Sequence, residues 1–192
     1  YEARAFGIHS AMPMSRAYRL CPQAVFLPTD FPEYRRVSAV FKDCMRSISP
    51  YMEDRGIDEA YLDITDTKGE SEDIGRELKL RVLDATRLTC SIGIAPNKLL
   101  AKMGSELQKP DGLTILGMED VPTRIWPLPV RKLQGVGPVT EKKLEALGLN
   151  TIGDIASRPL AALLAAFGAS HGAGLHRAAH GRDEREVVTE RE

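Results

Sequence analysis

The adjacent carboxylates Asp58 and Glu59 stand in a stretch that is otherwise apolar and strand-forming, and they constrain the local fold more than any other feature. Neighbouring side chains of a regular strand point to opposite faces, so we expect the pair at a turn or a bulge. Burying two anions is costly unless they share a cation, and carboxylate oxygens suit magnesium. The pair therefore indicates either a divalent metal site or a solvated turn, and its spacing alone does not decide between them.

The composition is that of a globular protein. Hydrophobic residues make up 43% and charged residues 28% of the 192 positions, and no apolar run approaches membrane-spanning length. The 3 cysteines lack metal-ligand spacing, which predicts a reduced, cytoplasmic protein. The formal net charge of −1 argues against a strongly basic nucleic-acid binder, so any contact with nucleic acid must come from individually placed groups.

The order of helical and strand patterns predicts an α+β architecture, with helices on one face of an antiparallel or mixed sheet. The first pattern is a helix from Asp30, whose spacing to Glu33 is that of a capping box. A strand that carries the carboxylates follows and runs to about Ile64, and a helix covers about 70–88. The remaining patterns are a strand from Thr89 to Ile94, a helix from about Asn97 to Leu107, and a strand from Leu113 to Leu116. Glycine and proline then punctuate short apolar helices from Pro122 onwards. We therefore place a boundary near residue 120 and predict a second, all-helical domain beyond it.

A second motif, Leu133-Gln134-Gly135-Val136-Gly137-Pro138, joins two helical patterns through a Gly-x-Gly turn, as in a helix-hairpin-helix. Glycine lets the chain come close to a ligand, and the N–H groups at the next helix start attract a phosphate oxygen. The alternative is a tight interhelical turn that binds nothing. On the first interpretation, five residues contact the DNA backbone without reading bases, namely Gly135, Val136, Gly137, Lys142 and Lys143.

Five further motifs occur along the chain, namely Tyr1-Glu2-Ala3-Arg4-x-Phe6-Gly7-Ile8, Ser10-Ala11-Met12-Pro13, Ile57-Asp58-Glu59-Ala60-Tyr61-Leu62-Asp63, Ser91-Ile92-Gly93-Ile94-Ala95-x-Asn97-Lys98-x-Leu100-Ala101-Lys102 and Lys109-Pro110-Asp111-Gly112. Together with the hairpin they resemble Y-family DNA polymerases, and most of all the bacterial DNA polymerase IV (DinB) branch. The resemblance covers essentially the whole chain, and the motifs follow the order of the family.

This resemblance implies a domain organisation and an activity. Residues 1–30 are expected to be the remainder of the fingers, residues 31–119 most of the palm, and residues 120–192 a thumb that contains the helix-hairpin-helix. The implied enzyme is a DNA-directed DNA polymerase of the error-prone translesion type, which adds deoxynucleoside triphosphates to the primer 3′-hydroxyl of primer-template DNA. A sliding clamp is a further expected partner, through segments outside these residues.

The resemblance also assigns site residues. The palm of the family holds two magnesium ions with three carboxylates, two of which match Asp58 and Glu59, the expected catalytic and metal-binding residues. Considered by themselves, Lys98 and Lys102 are expected to cover a helix face, and the alternative is a contact with DNA. The family contacts to the triphosphate of the incoming nucleotide match three residues of this chain, namely Tyr1, Arg4 and Lys109.

Two parts of the family pattern lie outside the sequence. The first metal-binding Asp and the residue that excludes ribonucleotides precede Tyr1 in the family, and a fourth, DNA-gripping domain follows the thumb. We therefore expect the sequence to be a fragment of a longer protein and to be inactive on its own. The main alternative is a non-catalytic DNA-binding accessory protein with a polymerase-like fold, and a second is a nuclease or repair protein that uses the same hairpin.

Overall fold

The computed structural model describes residues 1–189, so residues 190–192, predicted to belong to the thumb, lie outside the described part. The chain divides into two compact units, residues 1–34 and the chain from residue 35 onwards. Within the described residues, no helix has the length and apolar character needed to cross a membrane.

The first unit is helical. It contains α1 (Glu2–Ala5), α2 (Met14–Leu20) and the beginning of α3 (Phe31–Arg46). The N–H of Glu33 donates to Asp30 Oδ1 at 3.1 Å. This contact satisfies an N–H group of the first helical turn and confirms Asp30 as the predicted N-terminal cap of α3.

The segment that carries the two carboxylates is a hairpin. Its strands β1 (Met52–Asp54) and β2 (Ala60–Leu62) pair antiparallel. The prediction of one strand through both carboxylates is wrong, because both lie in the loop that joins β1 to β2. The chain turns there because Gly56 adopts a φ of +145° and donates its N–H to Asp54 Oδ1 at 2.9 Å.

A second, parallel pair of strands follows the hairpin. It consists of β3 (Ile92–Ile94) and β4 (Leu113–Ile115). The helix α4 (Ser71–Thr86) precedes β3, and α5 (Lys98–Leu107) connects β3 to β4. The elements predicted over residues 70–116 are therefore present, and the α+β class is confirmed.

Helices cover both faces of this parallel pair, so the prediction of helices on one face only is wrong here. On one face α5 lies directly on the strand, because a Cβ on Gly93 would come within 2.0 Å of the Ala101 carbonyl oxygen. On the other face lies α4, since a Cβ on Gly75 would come within 2.9 Å of the Ile94 side chain. Side chains alternate along a strand, so position 93 of β3 faces α5 and position 94 faces α4.

Two apolar cores hold the second unit together. The smaller contains Met45, Met52, Leu78 and Val82, and it packs α3, α4 and the hairpin against each other. The larger joins α5 to the helices that follow β4. Because Leu100 in α5 is a fully buried member of that core, α5 packs tightly against the helices that follow β4.

Within the described residues, the part after β4 contains helices, turns and irregular segments but no strand, and a single bridge joins Pro129 and Thr151. Its elements are short 3₁₀ turns at Met118–Asp120 and Val130–Lys132, a π-type turn at Val121–Ile125, α6 (Pro138–Ala146), α7 (Ile152–Ala156), α8 (Leu160–Phe167) and α9 (Ala169–Ala179). The predicted boundary near residue 120 falls within the second compact unit. A separate thumb domain beginning there stays a prediction.

Candidate functional site

Asp58 and Glu59 lie at the tip of the β1–β2 hairpin, and both are exposed. Their expected position at a turn is confirmed. Neither carboxylate needs a shared cation to compensate for burial, because water solvates both of them. Position, charge and exposure make the pair accessible to a ligand from solution.

An ion-pair network links Glu59 to Lys109 along the surface of α5. Lys102 pairs with Glu59, and its Nζ lies 3.7 Å from Glu106 Oε1. Glu106 Oε1 in turn lies 2.5 Å from the Nζ of Lys109. Residues 102 and 106 share one helix face because they are four positions apart. The structure thus connects a predicted metal ligand with a predicted triphosphate ligand through Lys102, which was expected to cover a helix face, and through Glu106, for which no role was predicted.

The charges of this network shift two pKa values in opposite directions. Partial burial alone would lower the pKa of Lys102, but the carboxylates of Glu59 and Glu106 outweigh it and hold that pKa above its ordinary value. Burial alone would raise the pKa of Glu106, but Lys109 and Lys102 outweigh it and hold that pKa below its ordinary value. Both shifts favour the charged forms of Lys102 and Glu106.

The carboxylate pair is chemically suited to a hard divalent cation. Adjacent oxygen ligands match the preference of magnesium. Among residues 1–189, no group of three or more His, Cys, Asp or Glu side chains is arranged to hold a metal ion. The metal-binding role of Asp58 and Glu59 therefore stays a prediction, and Glu59 shares its carboxylate with Lys102.

In the first unit, Tyr1 and Arg4 lie together at α1. The guanidinium carbon of Arg4 lies 5.7 Å from the centroid of the Tyr1 ring, and the Tyr1 side chain is exposed. This geometry is that of a cation–π contact. The structure brings these two predicted nucleotide ligands into contact with each other, and their role in binding the triphosphate stays a prediction.

The glycine hairpin lies between Val130–Lys132 and α6. Gly135 has a φ of +93°, in the region that favours glycine, and Gly137 is the N-terminal cap of α6. The N–H of Val136 donates to the Leu133 carbonyl oxygen at 3.0 Å, so this amide stabilises the turn itself. A Cβ added to either glycine would meet no atom within 4 Å. Both glycines thus border open space, as a backbone that receives a ligand requires.

The two predicted lysines of the hairpin differ in their surroundings. Lys142 is exposed on α6. Lys143 donates to the Ala166 carbonyl oxygen at 2.5 Å, and its Nζ lies 4.9 Å from the centroid of the Phe167 ring. Lys143 therefore stabilises the C-terminal end of α8, where a cation is favourable. Contact of Lys142 and Lys143 with DNA stays a prediction.

A cavity of about 400 Å³ brings the hairpin and α5 together. Lys102 and Glu106 line it from α5, and Gly135 and Val136 line it from the hairpin. Arg131 and Lys132, both exposed cations, line it as well. The cation that holds Glu59 thus also borders the predicted DNA-binding loop.

Two buried or half-buried lysines have structural roles that the sequence did not reveal. Lys98 is buried and donates to Glu53 at 2.6 Å, so the expectation that it only covers a helix face is wrong. Lys79 donates to the carbonyl oxygens of Cys90 and Asp111 at 2.6 and 2.9 Å, which anchors the turn after Lys109. Glu53 lies 45 residues from Lys98 along the chain, and Asp111 lies 32 residues from Lys79, so a local pattern contains no signal for these contacts.

Two family models together match most of the chain. The model of the impB/mucB/samB family matches residues 1–106. A model described as DNA polymerase-iota, thumb domain, matches residues 131–183. The second match contains the glycine hairpin and α6 to α9.

Curated relatives and solved structures agree with these matches. DNA polymerase IV of Xanthomonas campestris pv. campestris (strain 8004) is 45% identical over 100% of this chain and 54% of its own length. DNA polymerase IV of Alkalilimnicola ehrlichii is 44% identical over 100% of this chain and 55% of its own length. The chain thus spans about half the length of the curated relatives it matches.

Among solved structures, DinB from Sulfolobus solfataricus superimposes with a TM-score of 0.88 at 29% identity, covering 98% of this chain and 57% of that one. The insertion ternary complex of Dbh DNA polymerase gives a TM-score of 0.88 at 29% identity, covering 97% of this chain and 56% of that one.

Proposed function

The chain belongs to the impB/mucB/samB family, and from that premise we propose that it contributes part of the fingers, most of the palm, and the thumb of a Y-family DNA polymerase. The proposed reaction is metal-dependent transfer of a nucleotide from a deoxynucleoside triphosphate to a primer 3′-hydroxyl, with error-prone translesion synthesis as the biological role. The observation that carries the proposal is the network from Glu59 through Lys102 and Glu106 to Lys109.

Asp58 and Glu59 are the proposed metal ligands and catalytic residues. Magnesium ions, two in the complete enzyme, would activate the primer hydroxyl and stabilise the leaving pyrophosphate. The exposure of both carboxylates at the hairpin tip supports this role, because a substrate with its own metal can approach them from solution. Lys109, Tyr1 and Arg4 are the proposed ligands of the triphosphate, whose charge they offset.

The glycine hairpin is the proposed contact with the DNA backbone. The open space beside Gly135 and Gly137 supports close approach of a phosphate. Lys142 adds a positive charge on the exposed side of α6, and Lys143 adds one beside the end of α8. Because these groups do not read base edges, the proposed binding is independent of sequence and weakens with salt. Recruitment by a sliding clamp and a cytoplasmic location stay predictions.

Primer extension by the full-length protein tests the proposal. Asp58→Asn and Glu59→Gln each remove a charged metal ligand, and extension with magnesium should fall by roughly a thousandfold. Asp66→Asn, which changes an exposed carboxylate in the turn after β2, is the matched control and should leave extension unchanged. Binding of primer-template DNA should persist in all three variants.

The same measurements separate the alternative function. If the unaltered protein binds primer-template DNA but extends no primer at any magnesium concentration, it is a non-catalytic DNA-binding accessory protein. If the unaltered protein extends the primer and both carboxylate variants do so at full rate, Asp58 and Glu59 are not the catalytic residues.

A further inference from the structure

Lys102 occupies a position between two anionic partners and one open cavity. Its ammonium pairs with Glu59 at the hairpin tip and lies 3.7 Å from Glu106 on its own helix. The Lys102 side chain is 30% exposed to solvent, so its partners hold it without enclosing it. An ammonium in that setting can change partners without a change in the fold, since its long stem is flexible.

The network around Lys102 is balanced in charge. Glu59 and Glu106 contribute two negative charges, and Lys102 and Lys109 contribute two positive charges. Glu106 already has Lys109 at 2.5 Å, so Glu59 is the carboxylate for which Lys102 is the main partner. A divalent cation on Glu59 would add two positive charges and would repel the Lys102 ammonium.

An alternative place for that ammonium is the cavity beside the hairpin. Lys102 lines this cavity together with Arg131, Lys132 and the backbone of Gly135. Cationic side chains and glycine backbone are the groups that bind phosphate oxygens. The cavity therefore offers the displaced ammonium a surface where an anionic substrate would be its next partner.

We propose that Lys102 is a displaceable counter-cation of the metal site. It holds the Glu59 carboxylate in place when no metal is bound, and metal binding transfers its ammonium from Glu59 to a phosphate oxygen of the substrate. This inference rests on the proposed metal-binding role of Asp58 and Glu59. It makes Lys102 a positioning residue for the metal ligand and a binding residue for the substrate.

The test compares Lys102→Met with Lys102→Arg in the full-length protein, with Lys68→Met as a control. Lys68 is exposed in the turn at the far end of β2 from Glu59. Manganese binding is measured by electron paramagnetic resonance without nucleotide or DNA. Lys102→Met removes the competing cation, so it should bind manganese about threefold more tightly or better. Lys102→Arg and Lys68→Met should bind it as the unaltered protein does.

Substrate binding should change in the opposite direction. At saturating metal, Lys102→Met should raise either the KM for the nucleotide or the Kd for primer-template DNA by roughly tenfold, since one charged contact to phosphate is lost. The parameter that changes identifies the source of the phosphate, nucleotide or DNA. Lys102→Arg should restore both parameters, because it keeps the charge. A residue with a purely structural role would not strengthen one ligand while weakening the other.

Two results would overturn the inference. One is a manganese affinity in Lys102→Met that is unchanged or weaker, and the other is an unchanged KM and Kd in that variant. Asp58→Asn and Glu59→Gln separate this failure from failure of the proposed function. If those two variants lose manganese binding while Lys102→Met has no effect, the metal site stands and only the role of Lys102 is refuted. If they bind manganese normally, the proposed metal site itself is refuted.

Discussion

The Nζ of Lys98 lies 2.6 Å from Glu53 Oε2, and both side chains are less than one-tenth exposed. The same ammonium donates to the Glu186 carbonyl oxygen at 2.6 Å, and the N–H of Val188 donates to Glu53 Oε2 at 3.1 Å. This buried pair therefore joins β1, α5 and the segment after α9. It fixes the hairpin that carries the candidate metal ligands against the helix that carries Lys102.

Replacing Lys98 by Met should destabilise the protein by about 3–5 kcal/mol, because it leaves the Glu53 carboxylate buried without its counter-charge. Urea unfolding followed by circular dichroism measures this change. Lys142→Met, at an exposed position of α6, is the matched control and should cost less than about 0.5 kcal/mol. The double variant Lys98→Met with Glu53→Leu should lose less than the sum of the two single changes. A Lys98→Met variant as stable as the control would contradict the role of this pair.

The same pair should make stability depend on pH in acid. Burial alone would raise the pKa of Glu53, but hydrogen bonds from Lys98 and Val188 outweigh it and lower that pKa. A carboxylate with a lowered pKa in the folded state contributes stability that is fully present above its unfolded pKa of about 4.3 and is lost as the pH falls through the folded pKa.

Unfolding free energies measured from pH 7 down to pH 3 test this expectation. The unaltered protein should lose stability below about pH 4, and Glu53→Gln should lose less over the same interval because it has no proton to gain. A residual slope is expected in the variant, since Lys42 lowers the pKa of Asp54 and Arg185 lowers that of Asp183. Parallel curves for the two proteins would show that Glu53 does not contribute to the acid response.

Local patterns predicted the elements whose causes are local. The side-chain oxygen of Asn97 accepts the N–H of Leu100 at 3.0 Å, and this cap places the start of α5 where the sequence indicates it. The glycines of the hairpin likewise specify a turn through their own backbone freedom, as the φ of +93° at Gly135 shows. The position of the carboxylate pair at a turn followed from the two-residue period of a strand.

The parts that were missed depend on distant partners. The strand β1 contains Glu53 and Asp54, an acidic pair that does not resemble a strand in sequence. It is stable because Lys98 pairs with Glu53 and Lys42 lies 2.7 Å from Asp54. The contact between Lys102 and Glu59 spans 43 residues, and only the packing of α5 beside the hairpin brings them together. No periodicity within one segment contains that information.

Replacing Thr114 on β4 by Val should increase the stability of the protein. Its hydroxyl is buried, with the residue 2% exposed, and finds no hydrogen-bond partner among the described residues. Val has nearly the same shape and lacks the unsatisfied group, so Thr114→Val should stabilise the protein by about 1 kcal/mol. Thermal unfolding measures the shift. The control is Thr65→Val, which removes a hydroxyl bonded to Asp63 at 2.6 Å and should give no gain in stability. Loss of stability in Thr114→Val would show that its hydroxyl has a partner.

Gly93 and Gly137 should differ in how strongly replacement by Ala affects the free energy of unfolding. A Cβ at Gly93 would lie 2.0 Å from the Ala101 carbonyl oxygen and 2.4 Å from the Ser105 nitrogen, both of them backbone atoms of α5 that cannot move alone. Gly93→Ala should therefore push α5 away from β3 and destabilise the protein by about 2–3 kcal/mol, measured by urea unfolding. Gly137 has a φ of −90° and no atom within 4 Å of an added Cβ.

Because the added methyl group meets no atom, Gly137→Ala should change the free energy of unfolding by less than about 1 kcal/mol. The remaining cost arises because Ala is a poorer N-terminal cap than Gly. If the hairpin backbone contacts phosphate, the added methyl should nevertheless weaken binding of primer-template DNA, measured by fluorescence anisotropy at fixed salt. An intact fold with weakened DNA binding distinguishes a glycine kept for a ligand from one kept for packing, which is the role of Gly93. Unchanged DNA binding in Gly137→Ala would mean that the hairpin turns the chain and holds no phosphate at this position.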